Sequence, residues 1–280
     1  MRKPIAADSF YAGDPLELSK QVMDFIIDVK GKGDVKIAIA PHAGYIYSGK
    51  CAGEVYSRIK WKPETVILIG PNHSGIGPSI AVSLQSFLTP LGKLEADLEL
   101  VRMIIGNAKD DLDINENEGA HQFEHSLEVQ LPFLQTVIKS EIKIVPIILK
   151  EMPYESCAKL AEIIFYSIKN LKRKVLVIVS SDFTHYGNTY GFAPFVKNVR
   201  EELYKIDEKA IDFILQLNSR DFYDYARKNT TICGFLAITA GIELAKLMQC
   251  KEAEKVCFYT SGDVTKDYEN SVNYAGIVFR

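Results

Sequence analysis

Val66-Ile67-Leu68-Ile69-Gly70-Pro71-Asn72-His73-Ser74-Gly75 is an apolar run that breaks off into a histidine set among turn-forming residues. A run with no polar alternation fits a parallel strand buried on both faces. Two further stretches repeat the pattern. Val35-Lys36-Ile37-Ala38-Ile39-Ala40 leads into Pro41-His42-Ala43-Gly44, and Val175-Leu176-Val177-Ile178-Val179 leads into Ser180-Ser181-Asp182-Phe183-Thr184-His185. Ligands of open α/β sheets sit just beyond the carboxyl ends of such strands. One histidine after a strand is commonly a loop hydrogen-bonder, but three at equivalent positions beside Gly or Pro point to one shared site. Neutral imidazole is both the commonest metal ligand and the usual acid-base group.

Outward from these strands the chain reads as alternating helices and strands. Asp14-Pro15 opens a helix with Leu16, Leu18, Val22, Phe25 and Ile26 on one face, and Gly31-Lys32-Gly33 ends it. Ser48 is positioned to cap a helix to about Ile59, which with the flanking strands makes a βαβ unit. Asp97 caps a helix to about Gly106. Residues 107–123, with Asn115-Glu116-Asn117-Glu118-Gly119, form an acidic loop long enough for a rim or lid. Phe123 to Ile138 has helical spacing, kinked at Pro132. Later helices are expected over 154–168, 198–217, 219–228 and up to about 247, and strands over 142–149, 256–260 and 274–279. The whole is a single α/β domain over 1–280, a mixed and mainly parallel sheet flanked by helices.

Composition narrows the function. The 280 residues are 47% hydrophobic and 25% charged with a net charge of -3, which gives a core and no basic field for nucleic acid. Met1-Arg2-Lys3-Pro4 runs into Ala6-Ala7-Asp8-Ser9-Phe10 without the apolar middle of a signal peptide, and no stretch reaches the ~20 apolar residues of a membrane helix. A cytoplasmic protein without a membrane or nucleic-acid partner is expected. The five cysteines are widely spaced and lack a Cys-x-x-Cys pair, which argues against a disulfide framework or a zinc knuckle.

Cys233 follows Thr230-Thr231-Ile232 at the start of a helix, where the macrodipole would favour thiolate; a packed core thiol is the alternative. Asp182, three residues before His185, either orients an imidazole or closes its own turn. His121 and His125, like Glu124 and Glu128, are four apart, a spacing that serves surface pairing or a second metal. Tyr45, Tyr47 and Tyr186 follow the histidine loops closely enough to wall a pocket.

The ordered set Pro-His-Ala-Gly-Tyr-Ile-Tyr-Ser-Gly, Gly-Pro-Asn-His-Ser-Gly, Glu-His-Ser-Leu-Glu-Val-Gln-Leu-Pro-Phe-Leu, Ser-Ser-Asp-Phe-Thr-His-Tyr-Gly, Cys-Gly and Tyr-Thr-Ser-Gly-Asp closely resembles the Memo family, collinearly from Pro4 to Phe279. The resemblance implies a fold similar to class III extradiol ring-cleaving dioxygenases, which hold non-haem iron with two histidines and a carboxylate. By motif, His42 and His73 resemble the histidine ligands, His185 the acid-base histidine and Cys233 the third metal position, with cysteine replacing a glutamate. His125 lies inside a family motif and is expected to line the pocket.

A thiolate is softer than a carboxylate, which moves the site toward Cu, Zn or thiolate-tolerant Fe and away from ring cleavage. Fe or Cu leads, with Zn next. The resemblance therefore implies a transition-metal oxidoreductase of dioxygenase-like fold, with His42, His73 and Cys233 as ligands and His185 and Asp182 as catalytic groups. It also permits a non-catalytic module binding a peptide or phosphopeptide, or hydrolysis at zinc. A small-molecule or peptide ligand and a radical-SAM pathway partner are the implied associates.

Overall fold

The computed structural model describes residues 1–29, 34–108 and 111–280. Its first helix, α1 (Pro15–Phe25), starts where the Asp14 carboxylate accepts from the Leu16 and Glu17 amides and Pro15 needs no amide partner. It buries Leu18 and Val22. Leu16, expected on the same face, is exposed, because two residues turn a helix by about 200°. The expected stop at Gly31-Lys32-Gly33 lies outside the described residues, and α1 already gives way to extended backbone at Ile26.

Strand β1 (Ile37–Ala40), helix α2 (Tyr45–Tyr56) and strand β2 (Thr65–Pro71) realise the expected βαβ unit. Helix α2 begins ahead of Ser48, whose hydroxyl turns back to the Ala43 carbonyl rather than capping. Then come β3 (Ile80–Val82), the hairpin of β4 (Phe87–Thr89) and β5 (Gly92–Ala96), the Asp97-capped α3 (Leu98–Ala108), β6 (Ile114–Glu116) and α4 (Glu118–Gln122). The acidic segment expected as a rim is thus built into the sheet edge. Asn117 caps α4, and Glu118 accepts from the Ser83 hydroxyl and the Leu84 amide.

No helix runs through 123–127, and α5 (Leu131–Val137) starts later, with Pro132 in its first turn rather than at a kink. The chain continues through β7 (Lys143–Leu149), α6 (Tyr154–Leu171), β8 (Val175–Ser180), β9 (His185–Tyr186), α7 (Val199–Leu215), α8 (Ser219–Asn229) and α9 (Phe235–Leu247). It ends in β10 (Ala253–Thr260), α10 (Ser261–Thr265) and β11 (Ser271–Phe279).

Among the described residues one mixed sheet of eleven strands results, ordered β10-β11-β1-β8-β2-β7-β3-β6 along its main path. Its centre is parallel: Val177 of β8 registers with Ile37 of β1 and Ile67 of β2, and Ile67 with Val145 of β7. Antiparallel β11 and β3 flank these four strands. Every residue of β2 and β8 is buried, and alternate side chains serve opposite layers. Ile37, Ile39, Ile67 and Ile69 pack with α3, α6 and α9, whereas Ala38, Ala40, Val66 and Leu68 pack with α1, α2 and α5. The parallel centre brings the loops after β1, β2 and β8 out along one edge. Among the described residues no helix is long and apolar enough to cross a membrane.

Candidate metal centre

His42 leaves β1 with its amide donating to Asp182 Oδ1 at 2.8 Å and its Nδ1 2.9 Å from Ser180 Oγ. The Ser180 hydroxyl spends its proton on the Ser126 carbonyl, at 2.7 Å, so it accepts from His42. His42 therefore carries its proton on Nδ1 and keeps a lone pair on Nε2. His73 leaves β2 in a turn closed by Asn72, and its amide and Nδ1 reach the Glu124 carboxylate at 2.6 and 3.0 Å. A carboxylate only accepts, so His73 likewise keeps a lone pair on Nε2. His125 follows Glu124; its ring stacks on His73 at 4.9 Å between centroids and is covered by Phe10 at 4.5 Å. One ligand atom each from His42, His73 and His125 lies within 4.8 Å of the others.

Electrostatics favour free lone pairs on two of the three rings. Burial, reinforced by the neighbouring rings, holds His42 far below the ordinary imidazole range. Burial also lowers His125, against the pull of Glu124. For His73 burial acts the same way, but the bond to Glu124 outweighs it and the net shift is upward. Burial alone would raise Glu124; its bond from His73 and the Ser126 amide bring it down to about 2. A carboxylate that orients an imidazole from behind is the usual support of a metal-binding histidine.

Cys233 sits two residues ahead of α9, in a loop pressed on the end of β8. A Cβ on Gly234 would lie 2.6 Å from Ser181 Cβ and 2.7 Å from the Ser180 carbonyl oxygen, so only glycine permits this approach. The loop brings Cys233 Sγ to 3.4 Å from His42 Nε2 and 3.6 Å from the Asp182 carbonyl. Cys233 touches His42 but stands outside the close group of three imidazoles. The helix start does not lower its thiol: burial and then the Asp182 charge raise it. Burial likewise raises Asp182.

The imidazoles open into a cavity of about 600 Å³, also lined by Asp182, His185 and Tyr47. That volume suits a small molecule. His185 Nδ1 lies 3.2 Å from the Thr231 carbonyl, which fixes the proton there and leaves Nε2 as an acceptor. Tyr45 and Tyr186, expected as walls, do not line it. Tyr45, the first residue of α2, is buried against Phe133 with its hydroxyl donating to the Val129 carbonyl, and Tyr186 stacks on Phe195.

His121 and His125 share no helix face, because α4 ends at Gln122. His121 is buried with Nε2 at 3.1 Å from the Ala81 carbonyl. Glu128 is equally remote from the centre: it pairs with Arg2 at 2.6 Å and accepts from the Ile5 and Ala6 amides and the Tyr11 hydroxyl. This anchorage lays the N-terminal segment over the site, so that Ser9 and Phe10 line the cavity. Nothing local in the sequence signals it, since Arg2 and Glu128 are 126 residues apart.

Comparison with known proteins gives the family and the fold. The family model described as Memo-like protein matches residues 2–278. A MEMO1 family protein of Aquifex aeolicus is 39% identical over 283 residues, covering 100% of this chain and 99% of the relative. One from Archaeoglobus fulgidus is 38% identical with full coverage of both. Among solved structures, the uncharacterized protein JW3007 from Escherichia coli K12 superposes with a TM-score of 0.58 over 86% of this chain and 99% of the other. At 10% identity the likeness is one of fold.

Proposed function

The chain belongs to the Memo-like protein family, and on that premise we propose that it is a transition-metal-dependent redox enzyme working at the His42, His73 and His125 cluster. The carrying observation is that three imidazole ligand atoms lie within 4.8 Å of one another on the wall of a cavity that His185 shares. Two Nε2 lone pairs are fixed by partners on Nδ1, and the donor set suits Fe, Cu or Zn. Cys233, beside His42, adds a soft donor at the edge of the set.

A metal held there would supply Lewis acidity or one-electron redox capacity. The protein's own groups do the rest. His185 Nε2 takes a proton from a ligand in the cavity, while the Thr231 carbonyl holds the ring and its other proton in place. Asp182 fixes the His42 loop through the His42 amide. Phe10 covers His125 and keeps water from that side of the cluster. A phosphopeptide ligand has less support, because the cavity wall offers Asp182 and Asp267 and, among its described residues, no Lys or Arg.

The test is oxygen uptake by metal-loaded protein against a panel of phenols and thiols. His185→Gln should keep its metal and lose turnover by about 10²- to 10⁴-fold. Equal turnover in the variant would remove His185 from the mechanism, and no metal-dependent turnover in wild type would remove the enzymatic reading.

A further inference from the structure

We propose that a second cavity, on the far side of Cys233, binds a small zwitterion with an apolar body, an apolar amino acid or short peptide. The cavity, about 650 Å³, is walled by Met152, Pro153, Ile232 and Phe235 and edged by one cation, Arg227, and one anion, Glu151. Neither charge has an ion-pair partner among the described residues. Nearby Arg220, by contrast, is satisfied by Glu155 and Asp224.

Arg227 is held in place without being neutralised. Its Nη1 donates to the Tyr223 hydroxyl at 3.1 Å and its guanidinium lies 6.0 Å from that ring's centroid. The Tyr223 hydroxyl in turn donates to the Met152 carbonyl at 3.1 Å. A guanidinium anchored at one nitrogen still offers donors to a carboxylate, and Glu151 matches an ammonium. The apolar part of the lining disfavours a ligand that is charged throughout.

This cavity is separate from the one the imidazoles line, and the partition is thin. Cys233 belongs to its lining, whereas His42, which the sulfur touches, lines the other. Thr231 also lines it, while its hydroxyl accepts from the His185 amide at 2.8 Å. An occupant therefore covers Cys233 from outside, whether or not the imidazoles hold a metal.

Calorimetry on the full chain with L-leucine, L-phenylalanine and leucyl-leucine tests this, with isovalerate and isopentylamine as singly charged controls. At least one zwitterion should bind saturably, and the controls about tenfold or more weakly, since each loses a charge-assisted bond. Arg227→Gln and Glu151→Gln should each weaken binding by about tenfold with unchanged melting temperature. At about ten times its Kd, the ligand should slow iodoacetamide alkylation of Cys233, read by peptide mass spectrometry, about tenfold. Three outcomes overturn the proposal: no saturable heat up to about 10 mM, wild-type affinity retained in both variants, or unchanged Cys233 alkylation at saturation.

Discussion

The sulfur of Cys233 lies 3.4 Å from Nε2 of His42, yet the two residues face different cavities. The contact joins the loop before α9 to the loop after β1 and marks the boundary of the imidazole cluster. His125, packed on His73, completes the cluster from the other side.

That arrangement ranks the donors. His125→Ala removes one of three converging imidazoles and should weaken metal affinity at least about a hundredfold, whereas Cys233→Ser should cost about tenfold or less. Competition with a chromophoric chelator measures both. A larger loss from Cys233→Ser than from His125→Ala would make the thiol, and not His125, the third donor.

His121 should make the fold acid-sensitive. Burial pushes it down to about 4, and the unfolded value is near 6.5. Between these values the unfolded chain binds a proton that the folded chain does not, so stability is lost as pH falls, by about 3 kcal/mol over the full window. His121→Gln keeps a donor for the Ala81 carbonyl and loses the titration. Urea unfolding at pH 7 and pH 4.5 should show wild type losing about 2 kcal/mol more than the variant. Equal losses would mean that His121 is not held neutral in the fold.

The anchorage of the N-terminal segment should be costly to break. Arg2 and Glu128 are both buried, so Arg2→Ala leaves a carboxylate without its cation and should destabilise the fold by about 3–5 kcal/mol. Arg220→Ala, which breaks exposed ion pairs and a cation–π contact with the Tyr154 ring, should cost about 1 kcal/mol. Chemical denaturation of the two variants compares them directly, and equal small losses would contradict a buried pair at Arg2.

Much of this was readable from residue order. The strands were legible because Val66 to Ile69 and Val175 to Val179 are apolar without alternation, as strands buried on both faces must be. His42, His73 and His185 were legible because each lies within five residues of the end of such a strand. His125 was readable only as a pocket residue, since it lies in an irregular segment between helices whose path depends on Glu124 and on Arg2. Tyr45 misled because its direction depends on where α2 begins, and the Phe10 carbonyl, holding the Tyr45 amide, fixes that start. The raised Cys233 thiol was hidden for the same kind of reason: burial raises it, and the loop that carries it packs through Gly234 on the distant Ser180 carbonyl and Ser181 side chain.

The most direct test is elemental analysis of protein purified without added metal, then offered Fe, Cu and Zn in turn. Wild type should hold about one transition-metal ion per chain, and the double variant His42→Ala/His73→Ala less than about a tenth of that, because one remaining imidazole is too few donors. Equal metal content in the two proteins, or a wild type that takes up none of the three metals, would contradict a metal centre built on His42, His73 and His125.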